Sequence, residues 1–144
     1  MEYFDIAPED VVALNLNGEV VDGKRKPSSE VNMHKIFYER RKDINAVVHS
    51  HSLNATTLSC LNEPLRAIHY LIAFSGSDFI DCAPYVPFGS HELAEVAFRY
   101  MKNKYAVLLG NHGIVTGEAD ISYAYSALEE LEFCCELYLK TKAL

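Results

Sequence analysis

Two short aliphatic runs, 45–49 (NAVVH) and 105–109 (YAVLL), are too brief for helices and too uniformly apolar for strands with one wet face. They read as buried strands, which obliges the chain to cover a sheet with helices. Helical segments alternate with them. Ser28 or Ser29 caps an expected helix running to about Lys42, with Met33, Ile36 and Phe37 as its buried stripe and Val31, His34 and Tyr38 as a second row. A short helix is expected over 55–61, and Ser90 caps another over 91–101. Asp120 caps a long final helix whose stripe comprises Ile121, Ala124, Leu128, Leu131, Cys135 and Tyr138. Its acidic face, Glu129, Glu130, Glu132 and Glu136, reads as solvated surface, with an interaction face as the sharper alternative.

Further strands are expected over 11–16 and 19–21, joined by the Asn17-Gly18 turn, and over 80–85, ending at Pro84 and Pro87. Segment 72–79 is ambiguous, with Gly76 as a break, and 114–116 continues extended after a Gly110-Asn111-His112-Gly113 turn. The hairpin and the paired strands around His112 favour a mixed or antiparallel sheet. At 144 residues the chain amounts to a single domain, 1–144.

Thirteen basic against 20 acidic residues give a net charge of −7. The basic cluster Lys24-Arg25-Lys26 lies in a loop and Arg40-Arg41 at a helix end, so no basic stripe suits nucleic acid. No G-x-G-x-x-G or Walker loop supports nucleotide binding. The longest apolar stretch, 67–74, falls far short of the roughly 20 residues that cross a bilayer. Cys60, Cys82, Cys134 and Cys135 show no C-x-x-C spacing. With no signal peptide in view, they read as buried thiols in a reducing cytoplasm.

Three elements carry chemistry. In Val47-Val48-His49-Ser50-His51, strand geometry turns positions i and i+2 to one side, so His49 and His51 project together from a strand end. Both then reach one cation at about 2.0–2.1 Å per nitrogen. Alone, the pair reads more readily as two ordinary polar histidines. His112, between glycines at another strand end, would complete a three-imidazole site with a position open for substrate. Pro27-Ser28-Ser29-Glu30 opens a helix, where free N–H groups and two hydroxyls make an anion seat, or merely a cap. His34 fits a packed histidine near that site, and His69 and His91 fit structural or exposed positions.

Read in order, PSSE, H, Y, R, AVVHSH, AIHYLIA, CAPYVPFGSHELAE and LLGNHGIVTGE before a long helix resemble the class II aldolase/adducin-head family. Within it the likeness leans to the branch acting on L-fuculose 1-phosphate. The resemblance implies a three-layer α/β/α sandwich around a mixed, mostly antiparallel sheet, and a homo-oligomer, usually a C4 tetramer with sites at subunit interfaces. It implies one zinc or another divalent metal per chain, held by His49, His51 and His112, with Glu30 as catalytic carboxylate that also ligates the resting metal. Ser28 and Ser29 match part of a phosphate pocket. Tyr85 matches a tyrosine that donates a proton in a neighbouring subunit's site.

The implied activity is lyase cleavage of a ketose 1-phosphate, such as L-fuculose 1-phosphate, to dihydroxyacetone phosphate and an aldehyde. Glutamate at position 30 leans towards aldolases or dehydratases and away from epimerases. The resemblance also leads one to expect a Gly-Asn-(Ile/Val)-Ser stretch, a Thr-x-x-Gly turn and a C-terminal tyrosine segment that this sequence lacks. The alternatives are therefore a non-catalytic oligomerising relative, like an adducin head, or a related dehydratase or epimerase.

Overall fold

The structure is a computed structural model that describes residues 3–144. Its centre is a four-stranded sheet in the order β3 (Ala46–Ser50), β8 (Gly113–Glu118), β7 (Ala106–Leu109), β6 (Cys82–Ala83). The β3–β8 and β8–β7 pairs are antiparallel, and β6–β7 is parallel. The sheet is thus mixed and mostly antiparallel, as the resemblance implied.

Both faces are buried, and strand alternation divides them. Val107 and Leu109 of β7 face α1 (Val31–Arg40) and α3 (His91–Met101), in a core with Phe37, Leu93 and Met101. Ala106 and Leu108 face α2 (Leu53–Cys60) and α4 (Ile121–Lys142), in a second core with Leu58, Leu131 and Cys135. Two helices on each face make a three-layer α/β/α sandwich. Met33, Ile36 and Phe37 are buried as their spacing required. Ser90 and Asp120 cap α3 and α4, their side chains accepting from Leu93 N and Tyr123 N. Each cap contributes about 1 kcal/mol.

Several expectations need correction. The first helix begins only at Val31, with Glu30 at its N-cap and no side-chain cap. Ser28 closes the preceding turn, its Oγ accepting from Glu30 N at 3.2 Å. The first hairpin exists but is short, β1 (Ala13–Leu14) against β2 (Val20–Asp22). Its turn runs from Asn15, with Gly18 alone at positive φ (+88°), so it is a three-residue loop with a left-handed glycine. The helix expected over 55–61 starts earlier, at Leu53. Residues 70–75 form a 3-10 helix that Gly76 ends at φ +71°. The 80–85 stretch splits, because β5 (Phe79–Ile80) pairs with β4 (Leu65–Arg66) while β6 joins the main sheet. Ile121, the first residue of α4, is 64% exposed rather than packed. Cys60 is exposed, and Glu132 is turned inward.

Candidate metal centre and cavity

His49 lies on β3 opposite Val115, and its ring is anchored from outside the cluster: Nδ1 donates to the Ile114 carbonyl at 2.9 Å. A carbonyl only accepts, so Nδ1 carries the hydrogen and Nε2 presents a bare lone pair. That Nε2 stands 3.0 Å from Glu30 Oε2 and 3.1 Å from His51 Nε2. His51 sits one residue past the end of β3, yet its ring meets that of His49 at a centroid distance of 4.8 Å.

His112 arrives on the Gly110–His112 connection between β7 and β8. The left-handed residue of this loop is Asn111, at φ +55°, rather than either flanking glycine. The glycines are required by crowding. A Cβ on Gly110 would lie 2.6 Å from Asn62 Oδ1 and 2.8 Å from the Ala83 carbonyl. The loop is tied to the end of α2, with Asn111 N donating to Ser59 O at 3.1 Å and His112 N to Ser59 Oγ at 3.3 Å. The His112 ring lies 4.9 Å from both His49 and His51, centroid to centroid. Its Nε2 is 3.4 Å from Glu30 Oε1.

One ligand atom from each of Glu30, His49, His51 and His112 therefore falls within 4.8 Å of every other. Burial pushes the His49 imidazole down to about 4 and also lowers that of His112. With its hydrogen on Nδ1, the His49 ring turns the Nε2 lone pair towards Glu30 Oε2, 3.0 Å away. Glu30 Oε1 is buried without a hydrogen-bond partner. A carboxylate and three imidazoles that each bring one ligand atom to a common point are the donor set of a divalent metal, and this cluster fits one.

Beside the cluster opens a cavity of about 340 Å³ lined by Ser29, Glu30, His51, Tyr85, Phe88, Asn111 and His112. Ser29 and Tyr85 thus share the cavity with the cluster of their own chain. Ser28 lines a separate cleft, with His34 and Lys26. A larger cleft of about 650 Å³ lies by β2, away from the cluster. Asn111 and Phe88 carried no expectation. An asparagine between a glycine and a metal-type histidine, and an aromatic in the turn Pro87-Phe88-Gly89, were the available signals. His34 is half-buried on α1, where burial lowers its pKa. His69 caps the 3-10 helix by accepting from Leu71 N at 3.4 Å, and His91 is exposed.

The family described as "Class II Aldolase and Adducin N-terminal domain" matches residues 1–139. A 5-deoxy-D-ribulose 1-phosphate aldolase of Bacillus thuringiensis serovar kurstaki is 51% identical over 144 residues, covering 100% of this chain and 67% of its own. An L-fuculose phosphate aldolase of Escherichia coli strain K12 is 40% identical, covering 99% of this chain and 66% of its own. A solved structure of an L-fuculose 1-phosphate aldolase superposes with a TM-score of 0.95 at 43% identity, covering 99% of this chain and 67% of that one. The chain spans about two thirds of the length of the curated relatives it matches. No helix among the described residues is long and apolar enough to cross a membrane.

Proposed function

This chain belongs to the class II aldolase and adducin N-terminal domain family, and on that premise we propose that it is a zinc-dependent lyase cleaving a ketose 1-phosphate into dihydroxyacetone phosphate and an aldehyde. The observation that carries the reading is the convergence of Glu30 with three imidazoles on one point beside a cavity. A scaffold domain has no use for a carboxylate and three imidazoles brought to one point.

His49, His51 and His112 hold the cation, with Glu30 as the fourth ligand at rest. A divalent metal bound there acts as a Lewis acid, countering the negative charge that cleavage leaves on the three-carbon fragment. In cleavage the C4 hydroxyl loses its proton, C4 becomes the aldehyde carbonyl, and the C3–C4 electron pair remains on C3. Glu30, placed between the histidines and the cavity, delivers the proton that C3 takes up and removes it in the reverse direction. Tyr85, on the cavity wall, exchanges the proton of the aldehyde oxygen. Ser29 faces the same space and offers its hydroxyl to the phosphate, with Ser28 holding the turn that presents it.

The substrate class is a sugar phosphate with a deoxy terminus, such as 5-deoxyribulose 1-phosphate or L-fuculose 1-phosphate. Both end in a methyl group, and the Phe88 and Tyr85 rings give the cavity an apolar wall for it. In this reading the 144 residues act as one domain, assemble as a homo-oligomer of tetramer type, and work in the cytoplasm, where free Cys60 stays reduced.

The test is release of dihydroxyacetone phosphate from the two ketose 1-phosphates by zinc-loaded protein, against a Glu30→Ala control. Release no faster than the control removes the aldolase reading. Light scattering decides the assembly, and a monomer at working concentration removes the tetramer.

A further inference from the structure

His51 differs from the other imidazoles in what aims it. The His49 ring is held by the Ile114 carbonyl, and the His112 backbone by Ser59 and Leu109. His51 lies beyond the last paired residue of β3, Ser50, and its ring has one hydrogen-bond contact among the described residues, with His49. Its position therefore depends on the backbone that follows it.

That backbone is clamped from across the fold. The Glu132 carboxylate, on α4, accepts from Ser52 Oγ at 2.7 Å, Asn54 N at 2.7 Å, Asn54 Nδ2 at 2.9 Å and Ala55 N at 2.8 Å. Ser52 is the N-cap of α2 but supplies no side-chain cap of its own. Glu132 takes over that task from 77 to 80 residues away, satisfying the free N–H groups of the first turn with a negative charge at the positive end of the helix. Charge-assisted bonds to one rigid carboxylate fix the segment starting one residue after His51. The other end of α2 carries Ser59, which receives the His112 loop. A single short helix thus connects the supports of two of the imidazoles.

We propose that Glu132 is a positioning residue for the metal centre: by clamping the start of α2 it sets where the His51 ring points. This deepens the aldolase reading, since it concerns the same cluster. Neutral Glu132→Gln keeps the volume but replaces one acceptor oxygen with a donor facing other donors, so the clamp loosens and His51 swings.

The experiment compares wild type, Glu132→Gln, Glu132→Ala and the control Glu129→Ala, an exposed glutamate on the same helix. Histidine imidazole NMR signals are recorded first on metal-free protein, then zinc affinity is measured by competition with a chelator. In Glu132→Gln the His51 signals shift or broaden while those of His91, exposed on α3 and outside the cluster, hold, and zinc affinity falls about 10–100-fold, the usual effect of losing an outer support. Glu129→Ala matches wild type in both readouts. If Glu132→Ala does not fold, Glu132→Gln alone decides. Unmoved His51 signals together with unchanged zinc affinity in Glu132→Gln overturn the proposal. Should wild type bind no zinc, the aldolase reading fails, and the metal-free His51 signals still decide the role of Glu132.

Discussion

The Ser50 carbonyl oxygen occupies the space a side chain on Gly113 would need: a Cβ built there lies 2.4 Å from it. Gly113 begins β8 directly after His112, and Ser50 separates His49 from His51. The two strands that deliver the imidazoles thus touch backbone to backbone at the cluster. Substituting Gly113→Ala forces them apart. We expect a loss of about 1–3 kcal/mol in chemical denaturation, the range for overpacking. Zinc affinity should fall with it, because the displacement falls between His112 and the other two rings. Zinc binding equal to wild type in a folded Gly113→Ala protein would refute this.

Removing His49 separates metal binding from folding. Zinc at about 100 times its dissociation constant should stabilise the wild-type chain by roughly 2.7 kcal/mol. His49→Ala should abolish that zinc-dependent rise in melting temperature. Differential scanning calorimetry with and without zinc gives the answer, and a zinc shift that survives would exclude His49 as a ligand.

Glu30 stands where it touches both the histidines and the cavity. Glu30→Gln keeps its shape and removes its basicity. Dihydroxyacetone phosphate release should slow about 10²–10⁴-fold, the contribution of a positioned acid–base group. Zinc should still bind through the three imidazoles. Metal analysis beside the rate assay distinguishes lost proton transfer from a lost metal.

An acid limb of stability should trace to Asp81. Burial pushes its carboxyl up, but hydrogen bonds and charge from Lys104 and Lys102 outweigh that and leave it below the ordinary value. Lys104 is 5% exposed, with its ammonium 2.9 Å from Asp81 and 3.3 Å from the centre of the Phe79 ring. A carboxyl whose folded pKa is depressed stabilises the fold above its unfolded value of about 3.9, and that stability is lost as pH falls through the folded value. The window is therefore below about pH 4. Asp81→Asn should cost about 2–3 kcal/mol at neutral pH, less than the roughly 3–5 of a fully buried pair because the carboxylate keeps 21% exposure. Denaturation at pH 7 and pH 3 should show the difference from wild type shrinking in acid.

Much of the fold was legible from period and punctuation. The α1 stripe, the Ser90 and Asp120 caps and the buried β7 strand follow from local rules, since each is fixed by neighbours within a turn or two. The split of 79–83 into strands of two sheets was not, because the partners of those residues lie at 65–66 and 108–109. Pairing at such separation leaves no local signature. The same holds for Glu132: on a helical wheel it belongs with Glu129 and Glu136, and only the packing of α4 on α2 turns it inward.

For the candidate centre, the amino-acid order determined the chemistry on offer: H-x-H at one strand end, a glycine-flanked histidine at another, and a glutamate at a helix start. Spacing along the chain keeps His51 close to His49, but His51 lies one residue beyond β3, so strand periodicity alone does not aim its ring. Tertiary structure alone decided that Glu30 and His112, 19 and 63 residues from His49, close on the same point, through the β3–β8 register and the docking of α1 against the sheet. Those contacts depend on burial of surfaces that are remote in sequence, and burial is a property of the assembled core that no short stretch of sequence encodes by itself.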